Sequence, residues 1–390
     1  MTQGTSGGPV AETSFEGIWR VPDADVASGR IPGYVAAVRI GGRAAVHAGG
    51  RTALEPDSAP MAADTLFRIA SVTKPIGAAL ALSLVQDGVL ALDDPIARWL
   101  PELERPRVLE RPDGPLDRTT EARRAITVRH LLTCTAGWGA VLAPTPQQAA
   151  MFEAGVFPGP LTPQMSGDEF VARLAEIPLA FHPGEGFLYD TPIDVLGVLL
   201  ARAAGRPLSE LFAERIAGPL GMDDTGFMAK DAARMATAYA PDGDDLEVLD
   251  PADGMFAAPP AFEELGSGLV STAPDLLRFF SAMADGGAPV LDAGSLTLMT
   301  TDALSAEQRR RASPIIGPGG SWGLGTGVDI AAAEPGMAPG RWGWTGGTGT
   351  AAYVDPTRDT VCVILTQRAM TGPQDGFGAF VAAVAEAAEG

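Results

Sequence analysis

A chain of 390 residues is long enough for two domains of ordinary size around a sizeable buried core, and 46% apolar with 19% charged residues is a globular rather than a disordered composition. The balance of 28 basic against 48 acidic residues leaves a net charge of −20, which repels phosphate backbones and acidic membrane surfaces and weighs against nucleic acid and membranes as partners. Two cysteines, Cys134 and Cys362, exclude a disulfide framework, and with His47, His130 and His182 so far apart no zinc-ligand spacing exists.

Residues 34–48 alternate and pivot on Gly41-Gly42, the pattern of a hairpin. Residues 75–87 read as an apolar helix stopped by Gly88. Residues 101–125, rich in Pro, Arg and acids, read as an exposed loop, after which Thr127 opens a short helix. Residues 139–165 hold several prolines and little periodicity, a long loop of the kind that covers a pocket. Ser166 and Glu169 have the spacing of a capping box. Residues 192–204 predict a buried helix closed by Gly205, and further helices are expected over 209–217 and 274–285. Residues 350–354 and 360–366 read as strands around a turn, and 377–389 as a terminal amphipathic helix. Strands at both chain ends with helices between them predict one shared sheet. This gives a discontinuous α/β domain of residues 1–80 and 255–390, interrupted by a mainly helical domain of residues 81–254. No internal repeat is visible.

The longest apolar stretches fall well short of the roughly 18 residues of a membrane span. Residues 1–19 have neither a basic n-region nor an apolar h-region, so a cytoplasmic location is expected for the chain as it stands.

Two Gly-x-Ser-x-Gly segments, at 4–8 and 319–323, suggest a nucleophile elbow only superficially. The first lies in a polar tail; the second leads into a strand-like segment rather than a helix, and no His follows His182. Ser71-Val72-Thr73-Lys74 is the better candidate. Of the 28 basic residues only Lys74 and Lys230 are Lys, and an Arg guanidinium does not serve as a base. Pro75 is tolerated only in a first helical turn, so the helix is expected to begin near Ser71. Residues three apart share a helical face, which aims the Ser hydroxyl and the Lys amine at one point. The helix start also favours a developing oxyanion. To accept the Ser proton the Lys must be neutral, which calls for a desolvated site. The plainer reading of Ser71 is an N-cap. Tyr189 is one of four tyrosines and follows a Pro-Gly turn; its phenol is either a proton relay or a half-buried aromatic. Gly343, Gly346, Gly347 and Gly349 mark a strand that a ligand approaches closely, or one that is merely bulged.

These elements stand in the order and spacing of a known group. The segments FRIASVTKPIGA, ITVRHLLTCTAGW, FHPGEGFLYDTPIDVLG, GSGLVSTAPDLLRF, WGLGTGV and GWTGGTGTAAYVDP span most of residues 30–370. Together they resemble the class C β-lactamase superfamily of penicillin-recognising serine enzymes, and within it most the family VIII carboxylesterases. The resemblance implies an α/β (α+β) fold, an antiparallel sheet flanked by helices, with the active site in the cleft against a helical second domain. It implies Ser71 as the acylated nucleophile, Lys74 as its partner base and Tyr189 as a second proton relay. The N–H groups of Ser71 and Gly347 would form the oxyanion hole. No cofactor or metal is needed.

Two departures bear on substrate. The family's Tyr-x-Asn is here Tyr189-Asp190-Thr191, and its Lys-Thr-Gly is Trp344-Thr345-Gly346. Losing that Lys removes a charge-assisted hydrogen bond to an anionic substrate, about 1.5–3 kcal/mol. Thr191, Trp344, Thr345 and Gly346, with Trp138 and the 139–165 loop, are expected to shape the pocket, and the indole suits a neutral, apolar group. The expectation is a serine hydrolase of small esters, lactones or amides, monomeric or homodimeric. The rival readings are a β-lactamase, a D-amino-acid peptidase or amidase, an acyltransferase, or a non-catalytic ligand-binding module.

Overall fold

The computed structural model describes residues 15–140, 144–159, 162–373 and 375–390. Its centre is a seven-stranded antiparallel sheet in the order Arg43–Gly50, Gly33–Ile40, Thr360–Thr366, Thr350–Asp355, Trp342–Gly346, Gly327–Asp329 and Gly320–Trp322. The first hairpin turns at Gly41 and Gly42, both at positive φ (55° and 77°), the backbone that a tight two-residue hairpin requires. The chain ends meet where Tyr34 pairs with Thr366 and Ile40 with Thr360.

Alternation along the second strand assigns its faces. Tyr34, Ala36, Val38 and Ile40 join a small core with Ile18 and Phe380, under the helices Glu16–Ala27 and Gly378–Glu389. Val35 and Ala37 face the main core, which also holds Phe279 and Phe280 of the helix Ala273–Ala284. Among the described residues, the segment 81–254 adds no strand to the large sheet. It carries helices and two separate hairpins, Arg107–Leu109 with Thr119–Glu121 and Ala238–Asp242 with Asp245–Asp250.

Several local expectations change. The 101–125 segment contains the first of those hairpins. The 139–165 segment contains the helix Pro146–Glu153, where Thr145 accepts a hydrogen bond from Gln148 N and Pro146 occupies the first turn; there the proline starts a helix instead of marking a loop. Ser166 accepts from Glu169 N at 3.2 Å, but the Glu169 carboxylate turns forward to Arg173 at 2.6 Å, so the box is only half made. The helices Glu16–Ala27, Ala293–Thr300 and Ala306–Ile316 have no counterpart in the sequence reading. No helix among the described residues is long and apolar enough to cross a membrane.

Candidate active site

Ser71 lies in the single turn Ala70–Val72 that runs into the helix Thr73–Gln86, with Pro75 in the first turn of that helix. Ser71 makes no side-chain cap at this helix start. The turn is clamped from outside. Ile69 N donates to Leu269 O at 3.0 Å, and the Thr350 and Thr348 hydroxyls donate to the carbonyls of Ile69 (2.8 Å) and Arg68 (2.6 Å). Ala70 is held at φ 42°, a left-handed conformation that costs energy away from glycine. The Ile69 carbonyl presses so closely on Gly346 that a Cβ there would sit 2.3 Å from its oxygen. The glycine thus permits the nucleophile turn to dock on the strand Trp342–Gly346.

Lys74 is fully buried. Its Nζ meets Ser71 Oγ at 2.8 Å and the Gly266 carbonyl at 2.6 Å, and forms an ion pair with Asp190. Tyr189 accepts a hydrogen bond from Trp344 Nε1 at 2.5 Å, is hydrogen-bonded to Ser71, and has Lys74 Nζ 4.6 Å from its ring centroid. Trp322 closes the group, edge-on to Tyr189 (5.7 Å) and to Trp344 (4.8 Å). Ser71, Tyr189, Trp344, Thr345 and Gly347 line one cleft of about 280 Å³, with Asp190, Ser267, Ile315, Met370 and Pro373 also on its walls.

Burial is the largest influence on Lys74 and favours the neutral amine. The charge of Asp190, aided by Tyr189 and Asp194, outweighs it and raises the pKa. That direction runs against the neutral Lys74 that desolvation alone would give: burial is present, but it comes with carboxylates. Burial pushes the Tyr189 phenol up to about 12 against the opposing pull of Lys74. Behind Lys74, Asp194 accepts from Gly266 N at 2.7 Å and meets Glu264. Burial, with repulsion from Asp190 and, for Glu264, from Asp194, raises both carboxyls well above their usual range.

Thr191 and Trp138 are not on the cleft. Both are fully buried, Trp138 with Nε1 donating to Ile177 O at 2.8 Å, so Asp190 rather than Thr191 takes the wall position. At a helix start, adjacent residues point about 100° apart, and only one of the two faces the cleft. Arg341 does not replace the missing cation: it pairs with Asp329 at 2.5 Å and lies 4.4 Å above the Tyr353 ring. Ser321 is buried on the strand Gly320–Trp322 and hydrogen-bonded to Asp302, with no strand–turn–helix around it. The other Gly-x-Ser-x-Gly segment, at 4–8, lies outside the described residues. Asp190, Asp194, Glu264 and Gly266 escaped the sequence reading. The one available signal was Asp194, a charge inside the apolar run 192–200.

An antiparallel sheet assembled from both chain ends, with a serine three residues before a buried lysine where they meet the inserted helices, is the arrangement of a serine hydrolase. The chain belongs to the Beta-lactamase family, whose model matches residues 20–387, and within it the protein is esterase-like. It is 36% identical to Esterase EstB of Burkholderia gladioli over 337 residues, 80% of this chain and 81% of that one. It is 42% identical to Protein Rv1367c of Mycobacterium tuberculosis over 324 residues, 79% of each chain. Among solved structures, EstCE1, described as a hydrolase with promiscuous acyltransferase activity, superposes with a TM-score of 0.81 at 28% identity, covering 96% of this chain and 98% of that one. Simvastatin synthase LovD of Aspergillus terreus, in its LovD6 mutant, gives 0.79 at 25% identity, covering 99% of each.

Proposed function

We propose that the protein hydrolyses small, uncharged carboxylic esters through an acyl-enzyme on Ser71. The observation that carries this reading is the contact of Ser71 Oγ with both Lys74 and Tyr189, in a cleft with no other basic side chain on its described walls. Ser71 Oγ attacks the ester carbonyl while its proton leaves through the Lys74–Tyr189 pair to the departing alkoxide, which is released as the alcohol. The backbone N–H groups of Ser71 and Gly347 face the developing oxyanion. Water then attacks the acyl-enzyme, giving its proton back along the same path to Ser71 and releasing the acid.

The walls favour a neutral substrate. Trp344 stands where a lysine would hold a carboxylate, and its N–H is already engaged by Tyr189. Without that cation an anionic β-lactam forgoes about 1.5–3 kcal/mol, roughly ten- to hundredfold in binding. The apolar rim of Ile315, Met370 and Pro373 supports a second use of the same acyl-enzyme, transfer to an alcohol acceptor. That use is in keeping with the acyltransferase activity named for EstCE1.

The test compares p-nitrophenyl butyrate turnover by the wild type and Ser71→Ala, with nitrocefin alongside. Ester cleavage that vanishes in the variant, with weak or absent nitrocefin cleavage, is the expected result. A preference for nitrocefin refutes the substrate assignment, and full activity in the variant refutes Ser71 as nucleophile.

A further inference from the structure

A second cavity adjoins the catalytic cleft. It holds about 180 Å³ and shares Ile315, Trp344, Thr345 and Pro373 with the cleft. From Thr345 it follows the strand Trp342–Gly346 back to Arg341, roughly 10 Å from Trp344 at the rise of an extended chain. Arg341 is only 8% exposed, yet its donors are not all used. Nε donates to Asp329 at 2.5 Å and the Tyr353 ring covers one face at 4.4 Å, while Nη1 and Nη2 have no acceptor among the described residues. Neither nitrogen is sealed from solvent. The other cavity that Arg341 touches holds about 10 Å³, barely room for one water, so a ligand group reaches the guanidinium from the larger one. The Tyr353 and Thr345 hydroxyls on the same walls are also without a partner among the described residues, whereas Ser321 already donates to Asp302. A guanidinium only donates, so what the cavity lacks is an acceptor.

Charge narrows the choice of acceptor. The positive charge of Arg341 is matched by Asp329, and Glu334 adds a further carboxylate to the wall. A carboxylate on the ligand would stand beside both, with no unmatched cation on the described walls to favour it. A carbonyl oxygen meets the open N–H and O–H groups without that repulsion. We propose that this cavity is a second substrate subsite, which takes a neutral carbonyl group carried on the ester some distance from the bond that is cleaved, and that Arg341 is its specificity-determining residue through Nη1 and Nη2. This deepens, and rests on, the acyl-enzyme reading: Thr345 and Trp344 are walls of both cavities, so one extended substrate can place its scissile carbonyl at Ser71 and its second carbonyl at Arg341. The chemistry is the same whether the second carbonyl belongs to the acid or to the alcohol half of the ester, and the substrates below separate the two.

The test measures kcat/KM for matched pairs of esters. In one arm, p-nitrophenyl esters of straight-chain acids of six to ten carbons are each paired with the same acid bearing a ketone on its penultimate carbon. In the other, butyrate esters of straight-chain alcohols are paired in the same way. At one chain length in one arm, the ketone is expected to raise kcat/KM by about tenfold, the lower end of what a hydrogen bond to a charged group contributes. A terminal carboxylate in its place gives no such gain. Arg341→Lys keeps a cation for Asp329 and removes the fork, so the ketone preference falls towards one. Gly378 provides a second variant. It lies on the cavity wall at the start of the helix Gly378–Glu389, and a Cβ there meets nothing within 4 Å, so Gly378→Leu fills the space without a clash. It is expected to abolish the preference and leave p-nitrophenyl butyrate turnover unchanged, and it decides the matter should Arg341→Lys fail to fold. No ketone preference at any length in either arm overturns the proposal, as does a preference that survives Gly378→Leu, or a carboxylate that outperforms the ketone. Butyrate turnover that survives in Ser71→Ala would sink the acyl-enzyme reading instead.

Discussion

Replacing Trp344 with Phe removes one N–H and keeps an aromatic ring in place. In the wild type the indole donates to Tyr189 Oη at 2.5 Å and packs edge-on against Trp322 at 4.8 Å. A bond to a neutral phenol is worth about 0.5–1.5 kcal/mol, and one to an oxygen gaining negative charge about 1.5–3 kcal/mol. Only the difference, about 1–2 kcal/mol, acts on the chemical step, because interactions of equal strength in ground and transition state leave kcat unchanged. The expected loss in kcat is therefore about 5- to 30-fold, with KM for a small ester nearly unchanged. The Trp344 bond also opposes the burial that pushes Tyr189 up to about 12, so its loss moves the phenol further up. The assay is steady-state p-nitrophenyl butyrate hydrolysis across pH, corrected for spontaneous hydrolysis. A kcat within twofold of wild type, or a loss confined to KM, would show that charge does not develop on Tyr189.

The remaining predictions concern the ground behind Lys74. Gly266→Ala places a Cβ 2.2 Å from Asp194 Oδ1 and 2.9 Å from Asp190 Oδ1, and its carbonyl is a Lys74 acceptor. Overpacking of this kind costs about 1–3 kcal/mol, so a lowered melting temperature and a loss of ester turnover are expected together; wild-type values for both would contradict the packing described. Glu264→Gln tests the buried acids. An unfolded Glu ionises near about 4.3 and the folded one well above that, so between those values the folded chain holds the extra proton and stability falls as pH rises. The variant, with no charge to bury, is expected to gain melting temperature over the wild type as pH goes from about 5 to 8, and a constant difference would contradict the raised carboxyl.

What the sequence discloses follows from how local each signal is. The hairpin at Gly41-Gly42, the helix after Pro75 and the Gly205 stop are written in neighbouring residues, and the structure has all three. Ser71, Lys74, Tyr189 and Trp344 were legible because they sit in short segments whose order resembles a family. Asp190, Glu264 and Gly266 were not, because their meaning is non-local: Gly266 is a Lys74 acceptor only once a segment 192 positions away folds over that side chain. Trp138 was misjudged for the converse reason. An aromatic beside a glycine next to a presumed pocket loop fits a substrate wall and a core anchor equally well in one dimension, and its buried hydrogen bond to Ile177 decides for the core.

The exchange of a lysine for Trp344 has two consequences that sequence comparison treats as one. The first concerns binding: a cation opposite the substrate is gone, and Arg341, the nearest basic residue in sequence, is committed to Asp329 and Tyr353. The second concerns the reaction. A lysine at 344 would have placed a second positive charge near Tyr189 and favoured the phenolate through space, whereas the indole offers a single directed N–H. With that cation missing, Lys74 is the only positive side chain at the phenol among the described residues. The Asp190 ion pair and the Trp344 bond are the contacts that bear on charge at Lys74 and Tyr189 in its place. Trp344→Lys separates the two consequences. Improved nitrocefin binding with a less severe effect of Asp190→Asn on ester turnover is expected, and an Asp190→Asn effect that is the same in both backgrounds would break the link between them.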